Sequence, residues 1–264
     1  VHDFVRPPAG FDKEGKKDMK RSLHAARLLS RAALALTALT CLSGTAARAD
    51  TGANDWVAQQ IAVGTDGASR VLWTNISPGT GGQLVGVWKF DASDTETAIG
   101  PVYGPYSDSN GTWVAKKLAV APDGTLRLLW TSDGANGQEV VVWTMDANGN
   151  LTTVGTVYGP FTDSSGRWFV RDLKVAPDGT SRLLFTEYGT SGARAVVWKM
   201  DASGKQTSGG TAYGPYSTSA GSWFPQQLAM ASDGTTRLLW TIYGTTTSGT
   251  YSGDTFGIWT LDAP

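Results

Sequence analysis

The chain has 264 residues and a formal charge of −1, but its first 49 residues hold both histidines (His2, His24), the only cysteine (Cys41) and nine of the 22 Lys+Arg. The remaining 215 residues carry thirteen basic and nineteen acidic side chains, a charge near −6. Those numbers exclude an imidazole base, a thiol nucleophile, a disulfide framework and a His/Cys metal site from this part, and the acidic balance argues against binding a phosphate backbone.

Residues 1–18 precede Met19 and read as an upstream extension of the reading frame. From Met19 a cationic stretch (Lys20, Arg21, Arg27, Arg31) leads into the apolar run Ala32–Leu42 and then Ala47-Arg48-Ala49. Charged head, short apolar middle and small residues before a cleavage point make a signal peptide over residues 19–49, and eleven apolar residues are too few to span a bilayer. The expected product is exported, extracellular or periplasmic, and begins near Asp50 with no membrane span.

From Trp56 onward the chain repeats itself. Trp113, Trp168 and Trp223 follow at intervals of 57, 55 and 55 residues, giving repeats 56–112, 113–167, 168–222 and 223–264. Each contains Asp-Gly (Asp66-Gly67, Asp123-Gly124, Asp178-Gly179, Asp233-Gly234) followed by Arg and an apolar run (Arg70–Trp73, Arg127–Trp130, Arg182–Phe185, Arg237–Trp240). Another apolar strand with a central Trp follows. Of twelve repeated aromatic positions eleven hold Trp and one Phe185, so every tryptophan belongs to the repeat. Such a period indicates a propeller or a comparable array.

Asp-Gly between apolar runs predicts type I′ hairpin turns, and Asp146–Gly149 and Asp201–Gly204 predict longer ones. Each unit then has three strong strands and a weaker fourth leading to Tyr-Gly-Pro-aromatic; no segment after Asp50 has a helical period. The strands are apolar on both faces, which suits sheets stacked between sheets, as in propeller blades, and Trp supplies ~150–250 Å² of buried surface apiece. The expected fold is therefore all-β: a β-propeller-like array of four repeats, the last lacking its final strand. A β-prism or an open β-solenoid is the alternative. Four Trp-headed units share only three Tyr-Gly-Pro segments (Tyr103–Tyr106, Tyr158–Phe161, Tyr213–Tyr216). A homo-oligomer through the incomplete last repeat would supply a missing strand.

These motifs together resemble a family of exported bacterial repeat proteins, over residues 56–264. The resemblance implies an extracellular, propeller-like, lectin-like and non-catalytic module without fixing a ligand. Phe185, the long loop Gly244–Asp254 and the absent terminal segment depart from the pattern.

A search for catalytic groups finds little. Glu96, Glu139 and Glu187 occur once each in variable loops or at a loop edge, and the recurring Asp residues sit at turns, where backbone chemistry already explains them. Asp108–Gly111 and Asp163–Gly166 lack the density of a calcium loop. No cofactor or metal is expected.

Binding is the more productive class. Arg70, Arg127, Arg182 and Arg237 recur beside large aromatics, where a guanidinium can stack on an indole and donate in fixed directions; the simpler role is tying each strand to a turn Asp. Trp56, Trp113, Trp168 and Trp223 stand at strand entrances, where indole faces could stack on sugars. Tyr103, Tyr158 and Tyr213 share that end of the unit. The sequence thus points to a non-catalytic, carbohydrate-binding protein with several weak sites gaining avidity, its partner a glycan or cell-surface polysaccharide. The alternative is a protein-interaction or cell-surface scaffold module using the loops Asn75–Gln83, Ser132–Gln138, Glu187–Arg194 and Gly244–Asp254. Enzymatic activity is not expected.

Overall fold

A computed structural model describes residues 56–262, apart from 76–81, 164–165, 190–191, 219–220, 244–245, 248–249 and 252–253. The leader and the upstream extension lie outside the described residues. The first repeat is an antiparallel meander of β1 (Trp56–Val63), β2 (Ser69–Asn75), β3 (Leu84–Phe90) and β4 (Glu96–Tyr103). The second repeats it with β5 (Trp113–Val120), β6 (Leu126–Gly134), β7 (Gly137–Met145) and β8 (Leu151–Val154). The short β9 (Thr162–Asp163) precedes β10 (Gly166–Val175), β11 (Ser181–Gly189) and β12 (Gly192–Met200). On β12 pair two fragments, β13 (Gln206–Ser208) and β14 (Ala212–Tyr213). A hairpin of β15 (Ser217–Thr218) and β16 (Gly221–Ser222) leads to the fourth sheet, β17 (Phe224–Met230), β18 (Thr236–Ile242) and β21 (Thr255–Asp262). Between the last two lies the small hairpin β19 (Thr246–Thr247) and β20 (Thr250–Tyr251). The fold is all-β, a four-blade propeller-like array whose last blade has three strands in its sheet among the described residues.

The turns differ from the expected type. In Ala121-Pro122-Asp123-Gly124-Thr125 the Gly124 N–H bonds to the Ala121 carbonyl at 2.9 Å and Ala121 N–H to Thr125 O at 2.8 Å, and only Gly124 has positive φ (83°). This is a type I turn closed by a left-handed glycine, not a type I′ turn, because Pro122 presets the φ that the first central position of a type I turn requires. The strands also run further than expected. Pairing in the second blade extends to Gly134↔Gly137 and in the third to Gly189↔Gly192, so Glu139 and Glu187 are buried strand residues and not loop residues.

The inner strands β1, β5, β10 and β17 carry a bulge at one shared position (Gln59, Lys116, Arg171, Gln226). A bulge re-aims the side chain that follows. Gln60, just past it, donates its amide to Leu118 O and accepts Leu118 N–H in the next blade (2.9 and 2.8 Å), and Asp172 accepts the Leu228 N–H at 3.0 Å. A second acceptor reaches across from the start of the third strand: Gln83 Oε1 takes the Ala115 N–H at 2.8 Å and Gln138 Oε1 the Val170 N–H at 2.6 Å. At the third seam the donor position is Pro225, with no N–H, and the acceptor position is Ala193. Donor and acceptor are lost together, leaving no orphan.

Apolar packing fills the rest of each seam. Leu72, Val85 and Val87 of blade 1 pack on Leu118, Leu128, Trp130 and Trp143 of blade 2, and corresponding clusters join blades 2 to 3 and 3 to 4. The Tyr-Gly-Pro segments are seam clamps. Tyr106 meets Trp130 and Trp143 of the following blade at 5.5 and 5.4 Å, Phe161 meets Phe185 and Trp198, and Tyr216 meets Trp240 and Trp259. Each of the three seams among the described residues has one such segment.

The Tyr103 hydroxyl locks the first seam, donating to Gly149 O (3.0 Å) and accepting the Leu151 N–H (2.7 Å). Tyr103→Phe leaves the buried Gly149 carbonyl and the partly buried Leu151 N–H without this partner and is expected to lower the unfolding free energy by about 1–3 kcal/mol, read as a reduced urea midpoint with an unchanged slope.

Candidate functional site

The four repeated arginines divide by environment. Arg70 is fully buried and forms a bidentate pair with Asp66, at 2.7 and 2.8 Å. In blades 2 and 3 a threonine intervenes: Asp123 Oδ1 accepts the Thr125 hydroxyl and Arg127 donates to Thr125 Oγ1, while Asp178, Thr180 and Arg182 repeat the relay at 2.5 and 2.7 Å. Blade 1 has Ala68 at the threonine position, so its arginine reaches the carboxylate directly. Arg127 also donates to Gly179 O of the next blade, and Arg237 is exposed.

The predicted tryptophans also divide. Trp56 and Trp113 are buried, Trp168 and Trp223 half-buried. Trp113 Nε1 donates to Asp108 at 2.8 Å and Trp168 Nε1 to Asp163 at 3.0 Å, so those two carboxylates position indoles. Arg194 stacks over the Trp168 ring with its Cζ 4.9 Å from the centroid, while bonding Asp163 and the buried Glu187 at 2.7 and 2.9 Å. Of the predicted tyrosines, Tyr103 and Tyr158 hold seams through their hydroxyls, the latter accepting the Gln206 N–H at 2.6 Å.

Arg182 and Tyr213 come together elsewhere. They line a groove of about 600 Å³ between blades 3 and 4, with Asp178, Lys199, Asp233 and Leu261. At the two earlier seams this place is filled by the following blade's turn: Gly149 lies against Val87 and Gly100, and Gly204 against Val142 and Gly155. Asp178 and Asp233 occupy the same turn position in neighbouring blades, which is why the array delivers both to one groove. Hydrogen bonds from the Thr180 hydroxyl and N–H hold the Asp178 carboxyl below the usual carboxylate range, with Lys199 and Arg182 adding to the effect. The Thr235 N–H and hydroxyl do the same for Asp233. Both are ionised at neutral pH. Sequence spacing could not show this groove, because Asp178 and Asp233 look like turn formers until adjacent blades are stacked. Among the described residues no group of three His, Cys, Asp or Glu could hold a metal ion, and no helix is long and apolar enough to cross a membrane.

No protein-family model and no curated protein matches the chain. Several solved structures do. One comes from the GH130 family of mannoside phosphorylases, described as containing glycoside hydrolases that target β-1,2 mannosidic linkages in Candida mannan. It is 15% identical with a TM-score of 0.40 and covers 78% of this chain and 66% of that one. An endo-arabinase from Bacteroides thetaiotaomicron is 14% identical with a TM-score of 0.39, over 75% of this chain and 77% of that one. A calcium-binding regucalcin from Agrobacterium tumefaciens is 15% identical with a TM-score of 0.34, over 70% and 52%. The chain thus spans just under two thirds of the mannoside-family structure and about half of the regucalcin. Most of the neighbours are named as glycoside hydrolases or phosphorylases. That overturns two expectations, a non-catalytic lectin and the absence of enzymatic activity. Weighing each carboxylate by its local turn does not bring Asp178 and Asp233 together; blade stacking places both on the lining of one groove.

The Arg70 guanidinium lowers the Asp66 carboxyl from 3.8 to about 2. A carboxyl lowered by folding contributes stability above its unfolded value and loses it as pH falls toward the folded one. Asp66→Asn is therefore expected to flatten the fall in stability between about pH 4 and pH 2, measured by urea unfolding across that range, and to leave Arg70 buried without its counter-ion at neutral pH.

Proposed function

We propose that the protein is carbohydrate-active, holding a polysaccharide chain in the groove between blades 3 and 4 and cleaving a glycosidic bond there. The observation that carries this reading is the placement of Asp178 and Asp233 in one groove with Arg182, Lys199 and Tyr213. Glycosidic cleavage uses two carboxyl groups flanking the bond, against a transition state with positive charge on the sugar ring. Two carboxylates held ionised suit activation of a water and stabilisation of that charge. Neither donates a proton at neutral pH, so the leaving oxygen takes its proton from the Tyr213 phenol. Arg182 and Lys199 supply donors for sugar hydroxyls. Export, expected from the leader, would bring this groove to extracellular polysaccharide. The named activities of the structural neighbours are in keeping with the proposal, though likeness at this level bears on fold alone.

The test is release of reducing ends from a panel of arabinans, mannans and glucans, with Asp178→Asn, Asp233→Asn and Tyr213→Phe alongside. Asparagine keeps an oxygen that can accept the Thr180 or Thr235 N–H, so the turns persist. The expected result is release from at least one polysaccharide, reduced by ~10²-fold or more in each variant. Release from none of them, or release that both aspartate variants leave unchanged, would end this reading.

A further inference from the structure

The two ends of the array carry surfaces that match one another. At the interior seams the leucine following the bulge is buried against the preceding blade: Leu118, Leu173 and Leu228 are 1–2% exposed. The corresponding residue in blade 1, Ile61, is 62% exposed, as is Val63 two residues on. The indoles Trp73 and Trp88 are already buried with Trp56 and Phe90, so the open part of this face is the inner strand. On the opposite side of each blade, Val85 and Val87, Val140 and Val142, and Ala195 and Val197 meet the following blade. Their counterparts in blade 4, Phe256 and Ile258, are 70% and 62% exposed. Blade 4 therefore does not close on blade 1 of its own chain.

A polar position matches as well. Blade 4 presents Gln227 where Gln60 and Asp172 reach the next blade's leucine N–H. Blade 1 offers the N–H group of Ile61 at the receiving position.

We propose that blade 4 of one copy docks head-to-tail on blade 1 of a second copy, extending the interior seam between molecules. Phe256 and Ile258 cover Ile61 and Val63, and Gln227 takes the Ile61 N–H. The contact is confined to the inner-strand half, because Asp94 (φ 60°) carries a side chain where Gly149 and Gly204 press on the preceding blade. Such a heterologous contact closes a ring when the rotation allows and otherwise propagates.

Sedimentation of the full chain over a wide concentration range, with Ile61→Asp and Ile258→Asp, tests this. Both residues are exposed, so neither substitution disturbs the fold of one copy. Burying an unpaired carboxylate is expected to weaken association by ~100-fold or more. The wild type should sediment as a dimer or larger and each variant alone as a monomer. An equimolar mixture of the variants should form a heterodimer, because blade 4 of Ile61→Asp and blade 1 of Ile258→Asp are both intact. A wild type that is monomeric throughout, an assembly that neither substitution weakens, or a mixture that stays monomeric overturns the proposal; the last marks a like-to-like contact.

Discussion

The array depends on a paired aromatic core in every blade, completed in blades 2 to 4 by a ring from the chain segment entering that blade. Trp130 and Trp143 lie 5.0 Å apart, Phe185 and Trp198 4.6 Å, Trp240 and Trp259 5.2 Å, all tilted, and each pair receives an edge-on or tilted contact from Tyr106, Phe161 or Tyr216. Offset and edge-to-face contacts suit the charge distribution of aromatic rings. Because the third ring belongs to the preceding repeat, no interior blade is finished by its own residues. Stability therefore resides in the seams as much as in the sheets.

Much of this was legible in the sequence. The spacing of Trp56, Trp113, Trp168 and Trp223 set the repeat, and Asp-Gly located the hairpins. Features that depend on a neighbouring blade were not. The shared bulge at Gln59, Lys116, Arg171 and Gln226 has no fixed residue type, so no pattern announces it. Glu139 and Glu187 look like loop residues because Ser, Gly and Asn surround them, yet the strands reach past them before turning. The groove requires blades 3 and 4 to be stacked before Asp178 and Asp233 line one space.

The turn chemistry and the candidate site use the same residues. In blade 2 the Asp123–Thr125–Arg127 relay ends on Gly179 O of blade 3 and is absorbed into a seam. In blade 3 the equivalent relay through Asp178, Thr180 and Arg182 faces the open groove. One constellation is taken up in a seam in blade 2 and lines a groove in blade 3.

The matched loss at Ala193 and Pro225 also bears on how the gene can vary. A blade headed by Pro225, moved by unequal recombination behind Gln83 or Gln138, would meet an acceptor with nothing to give it. A blade headed by Ala115 or Val170, moved behind Ala193, would bury an N–H with no acceptor. The repeats look interchangeable as text, but their joints are keyed, so tandem duplication of whole blades would be penalised at two of the joints, and the order of the four copies is itself an inherited trait.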